Sequence, residues 1–434
     1  MAKLALCAAG GLLLASVSQS VLAPLALVVT GLLSYACGTW LRRRTRDGLN
    51  DRIARLAVPG AFCVIVMLNV TGLIGTLTGA GSTLQSGASP LLVALPFYLL
   101  SAAAFIAEMA LQRRSILLPG LVDYMVYLML PFKLLAGPLE SPQLLNQIRA
   151  FRLRWSSSRL AVGWTWMVLG ACMKYVIANR LDPARHLVET GPVASFLTAA
   201  VFELKFYFDF AGYSFMAYGA AMAVGLRISQ NFDHPFLTGN VVLFWRHWHM
   251  SLGRFLTRYV LEPNLSLFHG RNQKLLFASG VFLVSAMWHG GTFNYLAWGL
   301  FHGACYFAYG QWLRRRKFPA WAGALAMVLF FVFGRMLAVD AQGARLWIRL
   351  VSFLDPSAYS LDVLQAAAGH PFLTGPEARA LLVAALFIGA ELLNARLYGG
   401  RSYHLMRRPV TSLVLALVFI LAGTDTGALL YARI

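Results

Sequence analysis

Apolar residues along this chain fill stretch after stretch of about twenty positions, divided by short clusters in which arginine dominates. An α-helix of ~20 residues crosses the ~30 Å hydrocarbon layer of a bilayer. On that length the pattern predicts eleven crossings, near 4–17, 21–41, 56–78, 90–111, 160–178, 194–224, 275–289, 295–313, 318–338, 379–396 and 410–431. Two more apolar stretches, 117–139 and 235–260, are interrupted by Pro, Gly, Arg or His and carry bases on both flanks. They are expected to be re-entrant, leaving by the face they enter, because irregular backbone at membrane depth needs protein or a wet cavity around it.

Composition agrees with that pattern: 59% of residues are hydrophobic and 12% charged, with a mean hydropathy of +0.64. Soluble domains run near 45–50% and about 25%, so a soluble globular enzyme is excluded. The formal charge is +20. In a soluble protein that excess would suggest nucleic acid. Here the bases flank apolar runs, so they are read as setting orientation in the bilayer, with no nucleic-acid partner. A cytoplasmic N-terminus puts most of the 37 Lys and Arg on the cytoplasmic side, among them Arg42, Arg43, Arg44, Arg113, Arg114, Arg314, Arg315 and Arg316. A single bent helix over 4–41 would move only the N-terminus to the other face. The first apolar run could pass for a signal peptide; with a second run directly behind it, a retained short helix is expected. Cys7, Cys37, Cys63, Cys172 and Cys305 sit unpaired in apolar segments and read as packed thiols. Residues 1–434 are read as one polytopic unit whose extracytoplasmic segment, about 340–378, is too short and apolar to be a catalytic domain. Chemistry is therefore expected inside the membrane body.

Ionisable residues inside a membrane are functional candidates by default. Glu203, Lys205 and Asp209 share one apolar helix, and Lys205 and Asp209, four apart, are placed to pair. Such a pair could hold helices together or act directly. Glu108, Asp123 and Glu391 read as packing features. The run Phe244–Tyr259 interleaves aromatics and bases: as one helix it aligns Arg246, His249 and Gly253 on one face and Arg254 and Arg258 on another. It reads either as an interfacial amphipathic helix or as a cytoplasm-facing cationic mouth for a phosphate-bearing group. His247 and His249, two apart on a helix, diverge, and partner Cys or carboxylates are missing, so no metal site is expected. His289 precedes Gly290 and Gly291, which leave room for substrate to approach. A neutral imidazole there suits a general base acting on a hydroxyl, although a hydrogen-bonded core histidine is the blander reading.

Four segments, in order, resemble the membrane-bound O-acyltransferase (MBOAT) family, in the bacterial branch of alginate O-acetyltransferase and the teichoic acid D-alanyl transfer protein. They are Lys133–Leu139 (KLLAGPL), Asp209–Ser214 (DFAGYS), Phe244–Leu252 (FWRHWHMSL), and Trp288–Gly290 (WHG) with Leu296–Gly303 (LAWGLFHG). The likeness covers about residues 90–310, with a weaker echo at Gly427–Ile434. Three departures, Phe215 where the family often has aspartate, His247 where arginine is common, and a shortened Gly-Arg-Asn run at 270–272, bear on substrate identity rather than reaction type.

The resemblance implies an all-α integral membrane fold, a ring of about eleven helices around a thin centre pierced by a funnel. It implies that His289 is catalytic and that His249 is the second family histidine. On that basis the chain is expected to be an O-acyltransferase of the bacterial cytoplasmic (inner) membrane, moving an acyl group, most simply acetyl, from a cytoplasmic thioester to an extracytoplasmic hydroxyl. The donor would be acetyl-CoA or an acyl-phosphopantetheine carrier protein, a substrate rather than a bound cofactor. Arg246, Arg254 and Arg258 would attract its phosphates, while Asp209, Asn294 and Trp288 would support the site. A periplasmic transferase or the glycan itself would accept the group. D-alanyl transfer is the alternative within the family. The rival from another class is a transporter or flippase using Glu203, Lys205, Asp209 and His289 as an ion path, disfavoured by the lack of matched interrupted helices in two halves. A non-enzymatic scaffold would leave both histidines dispensable.

Overall fold

The computed structural model describes residues 1–17, 22–44, 47–77, 90–112, 116–134, 137–153, 156–183, 191–289, 293–316, 319–339, 343–362, 369–374, 376–398, 403, 408, 411 and 413–417. Among the described residues the secondary structure is entirely helical. The long helices are α1 (Ala2–Val17), α2 (Leu22–Arg43), α3 (Gly48–Leu77) and α4 (Pro90–Leu111). Two short ones, α5 (Leu121–Leu128) and α6 (Leu144–Ala150), lead to α7 (Ser157–Ala171), which winds on through a π turn over Cys172–Ile177. Then come α8 (Pro192–Val224), the short pair α9 (Val241–His247) and α10 (Met250–Leu256), α11 (Arg271–His289), α12 (Phe293–Ala308), α13 (Ala320–Ala338), α14 (Gly343–Ser352) and α15 (Pro376–Tyr398). Ten of the expected spans coincide with helices. The span at 410–431 and the echo at 427–434 lie almost wholly outside the described residues. Both interrupted stretches are short broken helices: α5 gives way at Met129 to a single turn over Pro131–Leu134, and α9 and α10 divide the other.

Helix ends follow from local chemistry. Asp47 Oδ1 accepts from the amides of Leu49 and Asn50 at 3.1 Å and so caps α3, while Arg44 Nη2 meets Oδ2 at 2.6 Å. Those hydrogen bonds, the Asn50 amide first, hold the Asp47 carboxyl below the usual carboxylate range. Gly225, at φ +92°, ends α8 in the left-handed cap that glycine accepts without strain.

Among the described residues, three packed groups are the largest. Helices α7, α8, α13 and α15 share one core with Phe232, Phe244 and Trp248. A second joins α2, α4, α5 and α6, with α1 against it through Leu6 and Leu13 and an ion pair from Lys3 to Asp123 at 2.5 Å. A third joins α3, α4 and α10. Helices α7 and α8 cross closely: a Cβ at Gly212 would stand 2.7 Å from the Gly170 carbonyl oxygen, and one at Gly163 would stand 2.6 Å from that of Gly219. Small residues let helices approach in this way where lipid supplies no hydrophobic drive between them. Outward positions are apolar, including Leu32 and Leu33 on α2, Leu325, Val328 and Leu329 on α13, and Leu382 and Leu386 on α15. Glu108, Glu391 and Asn394 are fully buried. Ser157–Arg180 and Glu377–Tyr398 are each long and apolar enough to cross a membrane by length and composition.

Candidate active site

The run Phe244–Tyr259 is not one helix. The Trp248 amide still bonds to the Phe244 carbonyl at 2.8 Å, but the Met250 amide turns to the Asn231 carbonyl at 2.8 Å, and the His247 carbonyl accepts from Asp233 N–H at 3.1 Å. The incoming segment 231–233 thus takes backbone partners that a continuous helix would use, and His249 is left at φ 43°, ψ 50°. This left-handed conformation is strained for a residue with a Cβ and is typical of functional sites. The single-helix alignment of Arg246 with His249 and Gly253 is therefore corrected: the break at His249 separates Arg246 on α9 from Gly253 on α10.

One cavity of about 930 Å³ collects most of the candidates. Four helices give it regular stripes: Glu203, Phe206 and Phe210 from α8; Val281, Phe282, Ser285 and His289 from α11; Tyr295, Trp298 and His302 from α12; Phe331 and Arg335 from α13. The spacings are those of a single helix face. Arg227, Arg246 and Arg254, all exposed, also line it. Arg227 follows the C-terminal end of α8 and Glu203 lies a third of the way along that helix from its start, about 30 Å of helix axis away at 1.5 Å per residue. The cavity therefore extends from a basic mouth well into the helical body.

His249 is buried, its ring edge-on to Phe210 at 4.8 Å between centroids. His289, half-buried at the end of α11, lies 6.0 Å from the rings of both Tyr295 and Trp298. Arg254 Nη2 reaches the Gln230 carbonyl at 3.4 Å. Arg258 also lines the cavity, but its Nε is paired with buried Glu108 at 2.5 Å, and Tyr259 donates to the same carboxylate oxygen at 2.9 Å. Asp209 is not among the lining residues; it faces α7 and pairs with Lys174. Lys205 donates to the Leu181 carbonyl, so the Lys205–Asp209 pair read from spacing is replaced by two other contacts. Asn294 is buried next to Tyr295 and does not line the cavity. Trp288 occupies the last turn of α11, its side chain outside the described part, and Gly290 and Gly291 lie outside the described residues.

Residues 22–339 match the sequence profile of the family described as MBOAT, membrane-bound O-acyltransferase. The chain belongs to that family. A probable alginate O-acetylase (AlgI) of Pseudomonas aeruginosa is 31% identical over 192 residues, 42% of this chain and 36% of the relative. A peptidoglycan O-acetyltransferase of Helicobacter pylori is 29% identical over 195 residues, again 42% and 36%. A teichoic acid D-alanyltransferase of Bacillus subtilis is 31% identical over 145 residues, 30% of this chain and 37% of the relative. The chain thus matches little more than a third of the length of these proteins.

Within the MBOAT match fall both histidines and three cavity residues to which the sequence reading gave no role: Tyr295, His302 and Arg335. His302 is buried among Trp298 at 4.4 Å, Phe330 at 4.7 Å and Trp245 at 5.2 Å. Arg335 bonds through Nε to Glu203 Oε2 at 2.6 Å and lies over the Phe206 ring at 4.4 Å. An arginine within the apolar run of α13 was the available signal, obscured by its place near the end of a span, where bases usually mark the interface. Three imidazoles and an anchored guanidinium in a cavity with an arginine-rich mouth can bind an anionic donor at one end and move a proton at a hydroxyl further in.

Proposed function

We propose that the chain is an O-acyltransferase of the bacterial cytoplasmic membrane, carrying an acyl group from a cytoplasmic thioester to a hydroxyl on an extracytoplasmic glycan or on a partner transferase that relays it. The observation that carries the reading is the single cavity shared by Arg227, Arg246 and Arg254 at one end and by His249 and His289 deeper in. Acetyl-CoA or an acylated phosphopantetheine carrier protein would place its phosphates among the exposed arginines by charge-assisted contacts. The acyl-bearing arm would then extend toward His289. That imidazole takes the proton of the accepting hydroxyl as the oxygen attacks the thioester carbon; the C–S bond breaks and the thiolate leaves with the proton. General base catalysis of this kind contributes about 10²–10⁴-fold.

Acetyl is our reading of the acyl group, since two of the three relatives above are named for acetylation and one for D-alanyl transfer. The test is the ester-linked acyl content of cell-envelope glycans in a deletion host carrying wild type or His289→Ala at equal membrane abundance. Loss of ester in the variant alone is expected, and the mass of the released acid separates acetate from D-alanine. Equal acylation by both proteins would remove His289 from the mechanism. Thioester turnover by purified protein in detergent, without a sealed membrane, distinguishes this reading from a transporter.

A further inference from the structure

Acyl transfer needs more than a base. As the hydroxyl oxygen bonds to the thioester carbon, the carbonyl π pair moves onto the acyl oxygen, and that negative charge requires a fixed donor in a water-poor site. Of the cations that line the cavity, Arg227, Arg246 and Arg254 are exposed at the mouth and Arg258 is bound to Glu108. Arg335 is placed differently: it lines the same cavity as His289, Tyr295 and His302 and is held there by Glu203.

Its own geometry is that of a held donor. Nε is committed to Glu203 Oε2 at 2.6 Å, and the guanidinium plane is set against Phe206 at 4.4 Å. Among the described residues no acceptor is bonded to the two terminal nitrogens, and the side chain, 12% exposed, borders the cavity. A guanidinium tied at Nε presents its outer N–H groups as a fixed fork, the arrangement that recognises oxygen anions. A purely structural ion pair has no need to face a cavity, and burying one seldom stabilises a fold on balance.

We propose that Arg335 is a catalytic residue that donates its terminal N–H groups to the acyl oxygen as it becomes an oxyanion, with Glu203 and Phe206 as positioning residues; this rests on the acyl-transfer reading above. In the addition step the new C–O bond forms, His289 holds the hydroxyl proton and Arg335 holds the oxyanion. On collapse C=O re-forms, C–S breaks and the thiolate takes the proton from His289. No redox partner or metal enters the balance.

The experiment compares wild type, Arg335→Gln, Arg335→Ala and the double variant Glu203→Gln/Arg335→Gln, purified in detergent, with acetyl-CoA as donor and a soluble sugar alcohol as acceptor. Removing one oxyanion donor costs about 10²–10³ in kcat, and donor KM should stay within about threefold. The double variant separates function from folding, because a neutral amide pair leaves no buried lone charge. It should recover the abundance and thermal stability that Arg335→Gln alone loses, and still turn over as slowly. Arg335→Ala should regain turnover when guanidinium is added at concentrations that leave wild type unchanged. Recovery of kcat in the double variant, or a single Arg335→Gln variant with wild-type kcat, overturns the assignment and leaves Arg335 a structural partner of Glu203. Absence of acyl transfer by wild type itself overturns the underlying reading and this inference with it.

Discussion

His249 combines a left-handed backbone with a buried ring against Phe210. An L-residue pays about 1–2 kcal/mol for that conformation, and glycine does not. The lost ring contact is worth about 0.5–1.5 kcal/mol. His249→Gly should therefore unfold near the wild-type midpoint in a detergent thermal melt, while His249→Ala, which keeps the strain and loses the ring, unfolds lower; both should transfer acyl groups poorly. A melt in which alanine is the more stable of the two would contradict the left-handed turn. The arginines divide in a similar way. Arg246→Gln should raise the donor KM and leave kcat and the melt unchanged, since Arg246 is exposed at the mouth. Arg258→Gln strands Glu108, which is wholly buried, and breaking a buried pair costs about 3–5 kcal/mol. Its defect should show as lost folded protein in gel filtration rather than as a raised KM.

At the scale of elements, the motif glycine Gly212 acts through packing. Its Cβ position lies 2.7 Å from the Gly170 carbonyl oxygen and 2.8 Å from the Lys174 amide, so Gly212→Val must push α7 from α8 and strain the Lys174–Asp209 pair. Overpacking of this kind costs about 1–3 kcal/mol, to be read as a lower melt whose residual folded fraction keeps a wild-type donor KM. A wild-type melt would mean that the two helices do not meet there. The helices themselves were legible because a bilayer imposes length and apolarity on each one separately, and both broken stretches were visible from their Pro, Gly and His. What spacing could not supply was partners. Asp209 faces Lys174 on another helix instead of Lys205 one turn away, and the break at His249 is made by backbone bonds from residues 231–233. Glu203 and Arg335 are 132 positions apart, so neither local sequence announces the other. A further long-range tie holds the same segment from behind: Tyr403 Oη accepts from the His234 amide at 3.2 Å and lies 3.0 Å from Tyr207 Oη, which donates to Glu391 at 2.5 Å.

For the whole molecule, the +20 charge is not spread evenly with respect to the cavity. Arg227, Arg246 and Arg254 stand exposed at its mouth, whereas the deeper cation, Arg335, is neutralised by Glu203. Capture of an anionic donor should thus be the salt-sensitive step and chemistry the salt-insensitive one. The Debye length falls from about 10 Å at 0.1 M to about 3 Å at 1 M, so exposed arginines lose their reach over that range while groups in the cavity are screened far less. With acetyl-CoA as donor, KM should rise steadily with ionic strength while kcat at saturation stays level. With a neutral donor, an acetylated pantetheine without phosphates, KM should start high and change little. Arg246→Gln should flatten the acetyl-CoA slope without touching kcat. Equal salt slopes for the charged and neutral donors would mean that the arginines orient the chain in its membrane and take no part in capturing the donor.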